Sequence, residues 1–298
     1  MSKVNIFIST YNRANLIGKC IDSILAQTFK DWSLLVVNDK STDNTLEVLK
    51  SYTKQDKRIK VIAAKENLGP YRSKASYLLS SEGKYIAILD DDDYWLPTNL
   101  EERVKVMEDH PECPVCYTDC WRIDNKNRWK YWNCSIGNPF PNILSPSALL
   151  RGSTYRELDG WDPNLYYYHA EMDYYLRLGY KNFIHIAKPL AVTTAPISQM
   201  SLNRLKEAEQ LDYIVEKHID TLRKDKKKLA YFYVRIGLHT IEGKGKGSNY
   251  FKYAIKVYPK AYEAWGGLLL PRSILLPLYK IYRRIKGYDS KVYENPLS

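Results

Sequence analysis

Apolar and polar positions follow two different periods in turn along the first 90 residues. Short apolar runs, typical of buried strands, occur at residues 4–9, 33–37, 58–63 and 85–89. Apolar residues recur at helical spacing in the segments between them, at residues 14–28, 44–52 and 70–81. This β-α-β-α-β-α-β order predicts an α/β fold, with a mainly parallel, Rossmann-like sheet, right-handed crossovers and flanking helices.

The pattern is less regular in the second third of the chain. It predicts a helix from Pro97 to His110, followed by these elements: a strand at Val115–Trp121, a polar, Trp-rich loop at Asn125–Gly137, a short apolar segment at Ser145–Leu150, a helix at Tyr174–Gly179 and a strand at Phe183–Ile186. From about residue 201 the chain becomes helical, polar and basic. We therefore predict a domain at residues 1–201, with halves at 1–97 and 98–201, and a helical C-terminal extension at 202–298.

Charge is distributed unevenly along the chain. The 298 residues carry a net charge of +11, but residues 1–201 hold 25 Lys and Arg against 24 Asp and Glu, whereas residues 202–298 hold 20 against 10. This split argues against nucleic-acid binding over the whole protein and favours a C-terminal surface that faces an anionic partner such as a membrane leaflet. The mixed apolar and basic tail at residues 265–287 suits either a membrane interface or a helix packed on the protein itself.

Several classes of protein are disfavoured by what the sequence lacks. No apolar run approaches the roughly 20 residues that span a bilayer, and no signal-peptide pattern precedes the first strand. We therefore expect a cytoplasmic protein, either free or peripheral on the inner face of the membrane. Neither a GxGxxG fingerprint nor a Walker-type glycine loop follows the first strand, which argues against a dinucleotide oxidoreductase and a P-loop NTPase.

Four of the five cysteines fall in one region: Cys113, Cys116, Cys120 and Cys134. The first two form a CxxC, as zinc ligands often do, but the spacing is not repeated. Since the chain has an odd number of cysteines and no export signal, we expect free thiols and consider a zinc site less well supported.

The segment Lys84–Pro97, KYIAILDDDDYWLP, carries the candidate chemistry. Its apolar run ends in four carboxylates, Asp90–Asp93, which repel one another and have no role in packing a core strand. Carboxylates at the carboxyl end of a parallel strand suit a magnesium or manganese ion that shares its ligands with substrate phosphates. The alternative is a solvated acidic turn that caps the helix after Pro97.

Six segments taken in order carry a resemblance to a known family: ISTYNR, VVNDKSTDNT, ENLG, GKYIAILDDDDYWLP, GWDPN and AEMDYYLRL. Over roughly residues 3–201 the chain resembles family 2 glycosyltransferases with the GT-A fold. The resemblance implies inverting transfer of a sugar from a UDP-sugar to a saccharide or lipid-linked acceptor, in cell-surface polysaccharide synthesis. It also implies a divalent metal, manganese or magnesium.

The resemblance assigns roles to individual residues. It implies a donor-binding set that comprises Thr10, Tyr11, Arg13, Asp39, Asn67, Gly69, Arg72, Lys74, Asp90 and Asp91. Asp39 is expected to accept the imide N–H of uracil, and Asp92, with Asp90, to bind the metal. We expect Asp93 to cap the following helix. The chain departs from the family at Lys40, where glycine is usual, and at Lys74-Ala75, where Arg-Asn is frequent.

The acidic base of the family precedes the helix predicted at Tyr174. Glu171 stands at the matching position, and Asp173 is the second candidate, with helix capping as its alternative role. Aromatic residues near these positions suit stacking on sugar rings or simple packing: Tyr166–Tyr168, Trp161, Trp129 and Trp132. No cation lies in the segment 193–201, where similar enzymes often place one against the diphosphate.

Two other functions remain open. A sugar-nucleotide nucleotidyltransferase also uses carboxylate-bound magnesium, but STYNR replaces the Gly-rich loop expected after its first strand. A non-catalytic sugar-binding or scaffolding protein would use the aromatic patch and the basic tail.

Overall fold

The computed structural model describes residues 2–124, 126–135, 140–166, 169–194, 203–285, 292, 293 and 295. The chain separates into two units, one of residues 1–166, 170–196 and 291–298, the other of residues 167–169 and 197–290. The predicted domain boundary at residue 201 lies among residues 195–202, outside the described residues, and stays a prediction.

The first unit contains a mixed sheet covered by helices. Its strands are β1 (Val4–Thr10), β2 (Trp32–Asn38), β3 (Ile59–Ala63), β4 (Tyr85–Ile88), β5 (Tyr94–Trp95), β6 (Val115–Ile123), β7 (Trp129–Trp132), β8 (Ala148–Arg151), β9 (Ile184–Thr194) and β10 (Val292–Tyr293). Its helices are α1 (Ile17–Leu25), α2 (Thr45–Gln55), α3 (Pro70–Leu78), α4 (Asn99–Asp109), α5 (Gly152–Glu157) and α6 (Ala170–Leu178). The main path of the sheet is β10-β7-β6-β8-β4-β1-β2-β3, and β9 pairs with β5 and β6.

The parallel part of the sheet confirms the predicted alternation. β1 pairs in parallel with β2 and β4, and β2 pairs in parallel with β3. Buried apolar residues of β1, β2 and α1 pack together in its core, for example Ile8, Val36 and Ile21. Because parallel strands end at one edge of a sheet, the residues that follow β1, β2 and β4 share that edge.

Three predicted elements in residues 98–201 differ from the structure. The predicted loop at Asn125–Gly137 contains β7, which pairs antiparallel with β6; Asn125 and residues 136–137 lie outside the described residues. Helix α6 begins at Ala170, before the predicted start at Tyr174. β9 continues to Thr194 because it pairs in parallel with β6 over its full length, and Pro189 is accommodated at a register shift.

The second unit is helical. Its helices are α7 (Arg204–Lys217), α8 (Ile219–Leu222), α9 (Lys226–Glu242), α10 (Ser248–Val257), α11 (Tyr262–Leu269) and α12 (Arg272–Ile285). These helices confirm the helical character predicted for the C-terminal part of the chain. Phe251 packs so closely on Gly237 and Gly267 that a Cβ at either glycine would lie 2.7 Å or less from its ring. Across the described part of the chain, no helix combines the length and the apolar character needed to cross a membrane.

Candidate active site

The loop after β1 is anchored to the residues after β2. Asn12 has a φ of 53°, and its side-chain oxygen accepts a hydrogen bond from the amide of Thr42 at 2.8 Å. The amide of Arg13 donates to Oγ1 of Thr45 at 2.9 Å. The anchored loop leaves Tyr11 46% exposed, so its ring is accessible to another flat ring such as a nucleotide base.

Asp39 connects the end of β2 to the start of α3. Its carboxylate is almost fully buried and accepts hydrogen bonds from the amides of Leu68 and Gly69, at 2.9 and 2.7 Å, and from Oγ of Ser73 at 3.3 Å. Lys40 stands where the resemblance expects glycine, and its φ of 64° lies in the left-handed region. That conformation costs a residue with a Cβ about 1 kcal/mol. Lys40 therefore adopts a conformation that glycine would adopt without this cost.

The loop before α3 and the first turn of that helix carry three of the predicted donor-binding residues. Oδ1 of Asn67 accepts a hydrogen bond from the amide of Gly69 at 3.1 Å. Gly69 has a φ of 77°, and no atom lies within 4 Å of where its Cβ would be, so the backbone conformation rather than space favours glycine. The guanidinium of Arg72 lies 4.5 Å from the ring centre of Tyr166.

Lys74 is the buried cation of the site. It is 3% exposed, and its Nζ lies 2.6 Å from Oδ1 of Asp90. Burial lowers the pKa of Lys74, but Asp90, Glu171 and Asp91 together raise it above its ordinary value. The structure therefore brings the carboxylates that follow β4 and the predicted base into one electrostatic group around Lys74, although Asp90 and Glu171 are far apart in sequence.

Asp91 faces the loop after β1. Its carboxylate lies 3.7 Å from Nε of Arg13. Burial raises the pKa of Asp91 to about 7, while the neighbouring hydroxyl of Thr10 opposes that rise. Burial and the negative charge of Asp90 also raise the pKa of Asp92. The burial and mutual proximity of these carboxylates therefore oppose their full ionisation.

The predicted role of Asp93 as a helix cap is wrong. Helix α4 begins at Asn99, and its N-cap position is occupied by Thr98. Asp93 is buried and accepts a hydrogen bond from the amide of Thr194 at 2.9 Å. It therefore joins the segment after β4 to the end of β9, because β5, rather than the helix, follows the four aspartates directly.

The residues at this edge fit a divalent metal only when a substrate supplies further ligands. Within the described residues, no group of three or more His, Cys, Asp or Glu side chains is arranged to hold a metal ion. Asp92, and Asp90 beside its partner Lys74, could each offer a carboxylate, while Asp91 and Asp93 face Arg13 and Thr194. Two carboxylates plus substrate phosphates is an arrangement that magnesium commonly accepts.

Glu171 lies in the first turn of α6, which places its carboxylate at the positive end of a helix. The hydroxyl of Ser145 donates a hydrogen bond to its Oε1. Ser145 is a site residue that the sequence did not indicate, because a serine in a polar segment carries no distinguishing pattern. The contact orients one carboxylate oxygen of Glu171.

Asp173 has a different environment from Glu171. It is fully buried, and its Oδ2 lies 3.0 Å from Nε and 2.9 Å from Nη2 of Arg177. Arg177 also donates to the carbonyl oxygens of Leu158 and Gly160, in the turn after α5. Asp173 and Arg177 are four residues apart in the sequence, and on a helix this spacing predicts an ion pair. The sequence alone therefore indicates a structural role for Asp173.

The predicted aromatic residues lie in separate contacts. The ring of Trp161 is buried and 6.2 Å from that of Tyr71, whereas Trp129 contacts Trp121 edge-on at 6.4 Å. Trp132 packs partly buried against the core. Tyr167, Tyr168 and residues 195–201 lie outside the described residues, so their predicted roles stay predictions.

The cysteines confirm the expectation of free thiols. All five are buried and unbridged, and Cys113, Cys116, Cys120 and Cys134 belong to the hydrophobic core. They pack as small apolar side chains.

Comparison with known proteins decides the family. Residues 5–180 match the model of Glycosyl transferase family 2. The chain belongs to this family.

An uncharacterized glycosyltransferase of Rickettsia bellii is 33% identical to this chain over 168 residues, which make up 55% of this chain and 24% of that protein. TuaG of Bacillus subtilis, whose name assigns it provisionally to teichuronic acid biosynthesis, is 33% identical over 115 residues, 39% of this chain and 45% of TuaG. The family 2 chain thus spans less than half the length of both relatives.

Solved structures confirm the GT-A fold of this family 2 glycosyltransferase. Staphylococcus aureus TarS 1–349 in complex with UDP-GlcNAc superposes with a TM-score of 0.67 at 19% identity, over 95% of this chain and 88% of TarS. The mannosyltransferase PcManGT of Pyrobaculum calidifontis, in complex with GDP-Man and Mn²⁺, gives a TM-score of 0.61 at 17% identity, over 96% of this chain and 82% of that one. The family also favours sugar transfer over the nucleotidyltransferase and scaffolding alternatives.

Proposed function

We propose that this family 2 glycosyltransferase moves a sugar from a UDP-sugar to a hydroxyl of a saccharide or lipid-linked acceptor, with inversion, in the synthesis of a cell-surface polysaccharide. One observation carries the proposal. Lys74 is buried and paired with Asp90, and the charge of Glu171 also raises its pKa, which supports donor-binding residues and a base within one site. The UDP-GlcNAc complex of TarS and the name of TuaG support the donor class and the type of product.

The donor would occupy the edge formed by the carboxyl ends of β1, β2 and β4. Tyr11 offers an exposed ring for the base, and Asp39 a carboxylate for its imide N–H. Arg72 and Lys74 would contact the diphosphate and the sugar, with the glycine at 69 allowing close approach of the backbone. The proposed donor set is that of the sequence, namely Thr10, Tyr11, Arg13, Asp39, Asn67, Gly69, Arg72, Lys74, Asp90 and Asp91.

Asp92 and Asp90 would hold a divalent metal, manganese or magnesium, together with the diphosphate. A bound metal supplies positive charge that stabilises the diphosphate as a leaving group. The four consecutive carboxyl groups that follow β4 support this assignment, as does the Mn²⁺ in the complex of PcManGT.

Glu171 would accept the proton of the acceptor hydroxyl. Ser145 orients its Oε1, which leaves Oε2 for the incoming hydroxyl. As the proton moves to Glu171, the acceptor oxygen bonds to the anomeric carbon, the bond from that carbon to the phosphate oxygen breaks, and UDP leaves from the opposite face. A single displacement of this kind inverts the anomeric centre.

Release of nucleotide from a panel of intact sugar nucleotides tests the reaction. We expect acceptor-dependent release of UDP from at least one UDP-sugar in the presence of Mn²⁺, and NMR of the product should show the inverted anomer. Turnover of GDP-mannose alone would overturn the UDP assignment, and retention of configuration would overturn the single displacement.

Replacing Asp92 with alanine is expected to remove the dependence of donor binding on metal. In titration calorimetry, Mn²⁺ should tighten binding of UDP to the wild-type protein by about tenfold or more and should have no such effect on Asp92→Ala. Glu47→Ala, which removes an exposed carboxylate from α2, is the matched control and should behave as wild type. Equal metal-dependent binding by Asp92→Ala would show that the metal site lies elsewhere.

A further inference from the structure

Helices α11 and α12 expose large apolar side chains to solvent. On α11 these are Tyr262, Trp265 and Leu269, and on α12 Ile274, Leu278 and Ile281, all between 43% and 75% exposed. In both helices the spacing is three and four residues, which places each set of three on one helix face. Other positions of the same helices are buried, because Ala264 and Leu275 pack in the core of the second unit.

Positive charge is concentrated in the same part of the chain. Residues 244–285 contain one acidic residue, Glu263, and nine basic residues: Lys244, Lys246, Lys252, Lys256, Lys260, Arg272, Lys280, Arg283 and Arg284. Residues 203–243 of the same unit hold nine basic residues against seven acidic ones. In the sequence, the excess of basic residues therefore falls in the segment that holds the exposed apolar side chains and is not a general property of the unit.

We propose that α11 and α12 form a peripheral membrane-binding surface that rests in the interface of an anionic bilayer. In such an interface, apolar side chains contact the acyl chains of the lipids, and the acidic headgroups attract lysines and arginines. Tyrosine and tryptophan, both present on α11, are enriched at that depth. The helices rest on the membrane and do not cross it.

A second copy of the chain is a less suitable partner for this surface. A two-fold interface would place α11 and α12 against the same helices of a second copy, and their sequences hold four basic residues, Arg272, Lys280, Arg283 and Arg284, against one acidic residue, Glu263. Like charges brought together in this way oppose association. An anionic lipid surface would attract the basic residues and bury the exposed apolar side chains.

Vesicle co-sedimentation of the full chain tests the proposal without donor or acceptor, so its result is independent of the proposed reaction. We expect binding to phosphatidylcholine vesicles that contain about 30% phosphatidylglycerol, and binding at least about tenfold weaker to pure phosphatidylcholine. The double variant Leu269→Ser/Ile281→Ser should lower binding to the anionic vesicles by about tenfold or more. Leu79→Ser, at a comparably exposed leucine of the first unit, should bind as wild type.

Charge is tested separately from apolar contact. Lys252→Glu/Lys256→Glu/Lys260→Glu should lower binding to the anionic vesicles, while Lys50→Glu/Lys54→Glu on the exposed face of α2 should not. Circular dichroism of each variant confirms that it is folded.

The proposal is overturned if the wild-type protein binds neither vesicle, or if the Leu269→Ser/Ile281→Ser variant binds as wild type. Light scattering that shows a wild-type dimer and a monomeric double variant, with no vesicle binding by either, would assign the surface to self-association.

Discussion

Glu171→Gln is expected to lower the rate of sugar transfer by about 10³-fold, within the 10²–10⁴-fold range typical for loss of a general base. Glutamine keeps the shape of the side chain and can still accept the hydrogen bond from Ser145, but it cannot take a proton from the acceptor. Donor binding should change by less than about threefold, because the uncharged variant leaves Asp90 paired with Lys74. Steady-state kinetics and calorimetry with UDP measure the two effects separately.

Ser145→Ala is the informative companion to Glu171→Gln. It keeps the carboxylate but removes the group that orients it, so we expect a smaller loss of rate, about tenfold, again with little effect on UDP binding. Full turnover by Glu171→Gln would contradict the assignment of the base. A loss of UDP affinity in Glu171→Gln that matches the loss of rate would instead place the residue in donor binding.

Asp173→Asn should destabilise the protein rather than affect the chemical step alone. The substitution leaves the guanidinium of Arg177 without its charged partner at a fully buried position, and breaking a buried ion pair on one side costs about 3–5 kcal/mol. The turn after α5, which Arg177 holds through the carbonyls of Leu158 and Gly160, should loosen with it. Urea unfolding measures the free-energy difference.

An ion pair of the same spacing on α4 provides the control. Lys105 and Asp109 lie 2.6 Å apart with both side chains largely exposed, so Asp109→Asn should leave the unfolding midpoint unchanged within error. If Asp173→Asn were as stable as wild type and inactive in transfer, Asp173 would be the base and the assignment of Glu171 would be wrong.

The first 97 residues are predictable because each element there is specified by its own local pattern. Ile17, Cys20, Ile21 and Ile24 define the buried stripe of α1 without reference to the rest of the chain. A strand–helix–strand order also leaves little choice of topology. The end of each apolar run then places Asp39 after β2 and the four aspartates after β4.

The elements after residue 97 depend on pairing with residues that are distant in the sequence. Local sequence patterns do not reveal that pairing. β7 is recognisable as a strand only through its pairing with β6, and Pro189 argues against the continuation of β9 until the register shift beside Asp119 is known. The same limit applies to the site. The negative charge of the four aspartates was evident from the sequence, but the attachment of Asp93 to Thr194 and that of Ser145 to Glu171 join residues far apart in the chain.

The hydrogen bonds of Asp39 restrict how the nucleotide preference of this protein could be redesigned. The carboxylate proposed to recognise the base also fixes the amides of Leu68 and Gly69. Any replacement chosen to admit another base would release the start of α3, and with it Arg72 and Lys74. A designer who wishes to alter the choice of donor should therefore begin at the exposed ring of Tyr11, which can be varied while the scaffold behind it stays intact.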